Sequence, residues 1–191
     1  MIFVVLGIIL FVAMAFFVFP VLSPIPYFPS NHADTDIILK SLHLSSDMTM
    51  IDLGAGDGFV IFQAASFALK HSLNTRFIAI EINPVLLMIM YIRKLFHPNG
   101  KNIKVMYGDM FKLDFASLVA PGTKPLFYMY ISPWLMEKVL TRIRKQIHEY
   151  VVVSYIHRII PDEKPVLQGV HGILIQHYSS RITSPSSTSP K

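Results

Sequence analysis

The chain has 191 residues, of which 52% are hydrophobic; 17 Lys and Arg stand against 12 Asp and Glu for a formal charge of +5, and there is no cysteine. That length accommodates one compact domain and excludes two. Without cysteine there is no disulfide scaffold, no thiolate metal site and no cysteine nucleophile.

The apolar excess sits at the start. Only Gly7, Pro20, Ser23, Pro24 and Pro26 interrupt the apolar run from Met1 to Phe28, and setting this leader aside takes the remainder to about 47% hydrophobic, ordinary for a globular domain. Met1 to Phe19 is apolar apart from Gly7, and every charged residue lies at or beyond Asp34. At 1.5 Å per residue such a run spans about 28 Å as a helix. It predicts one N-terminal transmembrane helix over 1–22. Pro20, Pro24 and Pro26 then end the helix and stiffen a Pro-rich linker over 23–33. Ala13-Met14-Ala15 offers a cleavage site, but no basic segment precedes it and the apolar run continues beyond. No Lys or Arg occurs before Lys40, so charge does not orient the span.

Past the linker, strand-like runs alternate with helical ones. Met48 to Leu53, Arg76 to Ile82, Asn102 to Tyr107, Leu126 to Ile131 and Tyr150 to Ile156 read as strands. Phe59 to His71, Pro84 to Phe96 and Pro133 to Ile147 read as helices. This rhythm predicts an α/β, Rossmann-like, mostly parallel sheet over 34–178, its strands buried on both faces. Pro165 to Val170 and Ile173 to Tyr178, around His171-Gly172, predict a closing antiparallel hairpin. Asn83-Pro84 and Ser132-Pro133 each place a capping side chain before proline at the first helical position. Residues 179–191, rich in Ser, Thr and Pro, predict a disordered tail.

Three acids follow strands. Asp52 ends the first, just before Gly54-Ala55-Gly56-Asp57-Gly58, whose glycines let the main chain turn sharply and face a ligand without Cβ atoms between. A dinucleotide fingerprint needs a third glycine where Phe59 stands, so that reading fails. Glu81 ends the second strand, where such folds hold a ribose. Asp109 follows the third, in Gly108-Asp109-Met110, with apolar neighbours suited to a flat ring.

In this order the motifs DLGAGDG, EIN and GDM resemble those of the class I S-adenosylmethionine-dependent methyltransferases, most strongly over Met48 to Met110. The resemblance implies S-adenosylmethionine as cofactor. It places Asp52, Gly54, Ala55, Gly56 and Gly58 around the methionine part, Glu81 and Ile82 at the ribose, and Asp109 with Met110 at the adenine. At the fourth strand's exit, Tyr130-Ile131-Ser132-Pro133 stands where families that methylate adenine or glutamine amides carry N/D-P-P-Y/F. That departure counts against those substrates. The aromatic exit, Tyr27-Phe28-Pro29-Ser30, the apolar leader and the missing last helix are similar to the small membrane-anchored protein-lysine methyltransferases, whose mitochondrial members modify membrane proteins of the energy-conserving machinery. The second resemblance implies a lysine acceptor in a membrane or membrane-proximal protein, with Tyr130 and Pro133 as catalytic candidates. The domain is then expected to face the cytoplasm, or the mitochondrial matrix, where the cofactor is available. Two rivals stand beside it: a lipid or quinone acceptor drawn from the bilayer, and a non-enzymatic membrane-tethered module.

The eight histidines form no metal-binding pair, and no metal is expected. His157-Arg158 follows a strand and reads as a solvated loop, with contact to substrate as the alternative. Lys138, Arg142 and Lys145 read as a solvated helix face, with contact to anionic lipid headgroups as the alternative. No basic cluster interleaved with aromatics points to nucleic acid, so none is expected as partner.

Overall fold

The computed structural model describes residues 1–22, 28–157, 167–168 and 174–179. Its centre is a seven-stranded sheet. Chain order runs α1 (Ile2–Leu22), α2 (Thr35–Ser41), β1 (Met48–Leu53), α3 (Phe59–Lys70), β2 (Arg76–Glu81), α4 (Pro84–Phe96) and β3 (Ile103–Tyr107). It continues with β4 (Lys124–Met129), α5 (Pro133–Gln146), β5 (Val151–Tyr155), β6 (Leu167–Gln168) and β7 (Leu174–Ser179). The strand order is β3-β2-β1-β4-β5-β7-β6. β1 to β5 are mutually parallel, whereas β7 runs antiparallel to β5 and β6 antiparallel to β7. The turn expected around His171-Gly172 lies outside the described residues, as does the tail from 180.

The two-residue period of the strands divides the core. Met48 and Met50 face Ile38 of α2 and Leu42 just after it, Ala64 and Ala65 of α3 and Met90 of α4. Ile51 and Leu53 face the other way, onto Met136, Val139, Leu140 and Ile143 of α5. Asp52 shares the first face with Tyr128, its register partner on β4. The chain leaves β1 toward β2 and crosses back at β4, so the carboxyl ends of β1 and β4 form the switch point where ligands bind in open α/β sheets.

Asn83 caps α4 as expected, its Oδ1 accepting from the amides of Val85 (2.9 Å) and Leu86 (3.5 Å). Ser132, expected to do the same for α5, makes no side-chain capping bond. Proline at the first position and Ser132's backbone carbonyl, which accepts from Leu135 and Met136, start that helix instead. α2 had no counterpart among the elements expected from sequence. Seven residues long, it packs Ile38, with Leu42 just past its end, under α3. Residues 28–33, read as linker, are held to the domain: Ser30 Oγ meets Tyr128 Oη at 3.3 Å, and His32 stacks on Phe59 at 4.0 Å.

The leader forms the 21-residue α1. Its large apolar side chains from Met1 to Phe11 are each half exposed or more. Among the described residues no helix is long and apolar enough to cross a membrane. Within α1 the side chains beyond Ala13 are not among those described. The transmembrane helix expected over 1–22 is therefore not shown by the fold and rests on the sequence.

Candidate active site

The loop after β1 is shaped by its glycines. Gly54, Gly56 and Gly58 have φ of +78°, +60° and +81°, the left-handed region that only glycine enters without strain. A Cβ on Gly58 would lie 2.7 Å from the Phe62 ring and 2.9 Å from Met90, so this glycine lets α3 and α4 close together. The amides of Gly54 and Ala55 donate to the carbonyl of Ile80 at 3.0 and 2.9 Å, tying the loop to β2. Asp57 fastens its far side. Its Oδ1 accepts from the Phe59 amide at 3.1 Å and its Oδ2 from Arg93 at 2.7 Å.

Two buried acids stand side by side behind this loop, one at the end of each central strand. Glu81 is 8% exposed and bridges loop and strand. Its Oε2 accepts from the Gly56 amide and its Oε1 from the amides of Ile82 and Asn83, all at 2.8 Å. Asp52 is 3% exposed, and its carboxyl is pushed up to about 8, first by burial and then by the charges of Glu81 and Asp57. It holds its proton at neutral pH unless a cation arrives.

Asp52, Gly54, Ala55 and Gly56 line one cleft with Tyr130 and the segment Phe28-Pro29-Ser30. The cleft encloses about 300 Å³ of empty space, part of it open to solvent. Tyr130 meets Tyr155 edge-on at 5.0 Å, with the His157 ring 6.3 Å away. Burial raises the Tyr130 phenol and lowers the His157 imidazole, so both are neutral near pH 7. Gly58, Glu81 and Ile82 are not part of its lining, although Glu81 holds the amide of the lining Gly56. Asp109, Met110 and Pro133 are not part of its lining. Asp109 accepts from the Phe111 amide at 2.9 Å and pairs with Lys112 at 3.4 Å, while Met110 is buried, its Cε 3.3 Å from where a Cβ on Gly54 would stand. The Gly108 amide donates to the Glu81 carbonyl at 3.1 Å, which sets the Asp109 loop next to the end of β2. Pro133 is exposed at the start of α5, followed by the exposed Trp134.

Tyr128 is not among the site residues expected from sequence, and for His157 a solvated loop is preferred there to a place at the site. Tyr128 had a signal, since it lies two residues before Tyr130 and therefore on the same strand face. His157 had only its position just past a strand, and its place beside Tyr130 depends on β5 lying next to β4. Among the described residues no group of His, Asp or Glu side chains is arranged to hold a metal ion.

No family model matches the chain, and no curated protein matches it by sequence. Its architecture does match solved structures. An RNA methyltransferase from Salinibacter ruber, in complex with S-adenosyl-L-homocysteine, is 20% identical over 85% of this chain and 100% of its own, with a TM-score of 0.64. Precorrin 8w decarboxylase from Methanobacterium thermoautotrophicum is 16% identical over 70% of this chain and 67% of its own, at 0.52. The 23S rRNA methyltransferase ErmE is 18% identical over 67% of this chain and 48% of its own, at 0.50. At these identities the likeness defines the fold, that of the class I S-adenosylmethionine-dependent methyltransferases. S-adenosylmethionine is the cofactor of that methyltransferase fold. The residues present suit it: Gly54 and Gly56 bare the main chain to the cleft, and Asp52 offers a carboxyl that a cation would ionise.

Proposed function

We propose that the chain is a membrane-anchored S-adenosylmethionine-dependent methyltransferase that N-methylates lysine in a membrane or membrane-proximal protein. The observation that carries the enzyme reading is the joining of Glu81 to the Gly56 amide at the switch-point cleft that Asp52 and Tyr130 also line. When bound, S-adenosylmethionine supplies a methyl group already activated by a sulfonium, so positioning matters more than acid–base strength. Asp52, Gly54, Ala55, Gly56 and Gly58 would hold its methionine part, Glu81 and Ile82 its ribose, and Asp109 with Met110 its adenine. Tyr130 bounds the acceptor side with a phenol that burial keeps neutral, so it adds no negative charge to hold the acceptor as an ammonium. Pro133 and Trp134 open α5 beside it. A free lysine, with a pKa near 10.4, must lose its proton before attack, and desolvation at such a wall assists that loss.

Membrane anchoring is supported by the leader. α1 exposes apolar side chains at successive positions from Met1 to Phe11, hence on every side of the helix, which water does not favour and lipid does. Phe28 lines the cleft only six residues after Leu22, so the chain's reach holds the cleft within about 22 Å of the end of α1. An acceptor close to the bilayer surface fits that tether. Because the cofactor is made in the cytosol, the domain would face the cytoplasm, or the matrix of a mitochondrion.

The test is radiolabelled methyl transfer by the full chain to membrane proteins, to lipid and quinone extracts, and to RNA, followed by amino-acid analysis of the labelled protein. Methyllysine in a membrane protein, lost with Asp52→Ala, is the expected result. Label in lipid or RNA would replace the acceptor class, and no cofactor binding by the folded chain would leave the tethered, non-enzymatic module.

A further inference from the structure

α4 is apolar on both sides. Leu86, Leu87 and Met90 are buried, the last two in the core with the sheet and α3. The opposite face carries Met88, Tyr91, Ile92, Leu95 and Phe96, exposed by 48% to 84%. Tyr91 turns its hydroxyl inward to the Val105 carbonyl at 3.1 Å and leaves its ring half exposed. α5, the helix on the other side of the same sheet, shows what a water-facing helix of this protein looks like. Its exposed positions after Trp134 are Glu137, Lys138, Thr141, Arg144 and Lys145. The apolar outer face of α4 is therefore a property of that helix and not of the fold.

Charge marks the same region. Residues 58–108 hold six Lys and Arg (Lys70, Arg76, Arg93, Lys94, Lys101 and Lys104) against one acid, the buried Glu81, while the rest of the chain balances eleven against eleven. With Asp57, which pairs with Arg93 of α4, counted in, this region still carries +4 of the chain's +5. Arg76, Lys101 and Lys104 are exposed on segments that pack against α4. An apolar helix face flanked by exposed cations, with Asp57 the one partly exposed acid bonded to the helix and neutralised by Arg93, is the pattern of a surface that settles into an anionic lipid–water interface. α1 also touches α4, so the leader and this face adjoin.

We infer that the outer face of α4 is a second membrane contact, its apolar side chains entering the headgroup boundary and its flanking Lys and Arg meeting lipid phosphates. The inference rests on the anchoring of α1 proposed above. It gives the domain a fixed orientation on the bilayer, which a single tether cannot impose.

The chain has no cysteine, so a single introduced one takes a spin label uniquely. The full chain would be reconstituted into vesicles of phosphatidylcholine and phosphatidylglycerol with the label at Leu95→Cys on α4, at Thr141→Cys on α5, or at Phe3→Cys on α1. Collisions with oxygen, which concentrates in lipid, are then compared with those of a water-soluble nickel chelate. The expected result is oxygen well ahead of nickel at positions 3 and 95, with the order reversed at 141. A label at 95 as open to nickel as the one at 141 overturns the membrane contact. So does a label at 95 shielded from both reagents, which would put a second copy or another protein on this face. A label at position 3 that meets nickel freely refutes the anchor itself, and is distinguishable from either outcome at 95.

Discussion

Asp52 is the residue whose chemistry is most altered by the fold. Its carboxyl sits near 8, against an ordinary 3.8. Below about pH 4 folded and unfolded chains both hold this proton, and stability from this group is complete. Between about pH 4 and 8 the unfolded chain has released it while the folded chain retains it, so stability falls across that window and levels off above 8. Thermal melts of the cofactor-free protein should therefore drop between about pH 4 and 8, and drop less in Asp52→Asn. A bound cation reverses the preference and expels the proton. S-adenosylmethionine affinity should accordingly rise about tenfold per pH unit up to pH 8 and then level off. Titration calorimetry in two buffers of different ionisation enthalpy would show release of one proton, absent in Asp52→Asn. Gly58 tests the loop independently of ligand. Gly58→Ala meets both a positive φ and the Phe62 and Met90 side chains, whereas Gly122→Ala meets only the φ of +75° with open space around it. The former should cost about 3 kcal/mol and the latter about 1 kcal/mol in urea unfolding.

Among the elements, the helix starts separate what a motif implies from what a side chain does. Asn83 satisfies two free amides of α4, and Asn83→Ala should cost about 1 kcal/mol by urea denaturation. Ser132 occupies the equivalent place before α5 but forms no such bond, so Ser132→Ala should be near neutral. The two sites look alike in sequence, each a polar residue followed by proline. They differ because Asn83 Oδ1 turns back onto its own helix. The strands were legible for a related reason: β1, β2, β4 and β5 are buried on both faces and so read as apolar runs. α2 was not, since seven residues give too few periods for a helical pattern to stand out.

The whole molecule is closed by contacts far apart in sequence. Tyr155 on β5 donates to the buried Asp34 at 2.7 Å across 121 residues, and Tyr128 reaches Ser30 across 98. These bonds hold the segment from Phe28 to Asp34 along the cleft, between the leader and α2. Tyr155→Phe should cost about 1–2 kcal/mol, and limited proteolysis should cut sooner between residues 23 and 34. The sequence by itself determined the α/β alternation, the glycine loop and the acids at the strand ends, because each depends on local periodicity or on backbone freedom within a few residues. The apolar leader was legible for the same reason. Only the tertiary structure decided that Glu81 grips the Gly56 amide, that burial and two neighbouring acids raise Asp52, that Phe28 to Ser30 line the cleft, and that α4 turns an apolar face outward. Each of those depends on which strands become neighbours, and strand order follows from packing the whole chain at once rather than from any one stretch of it.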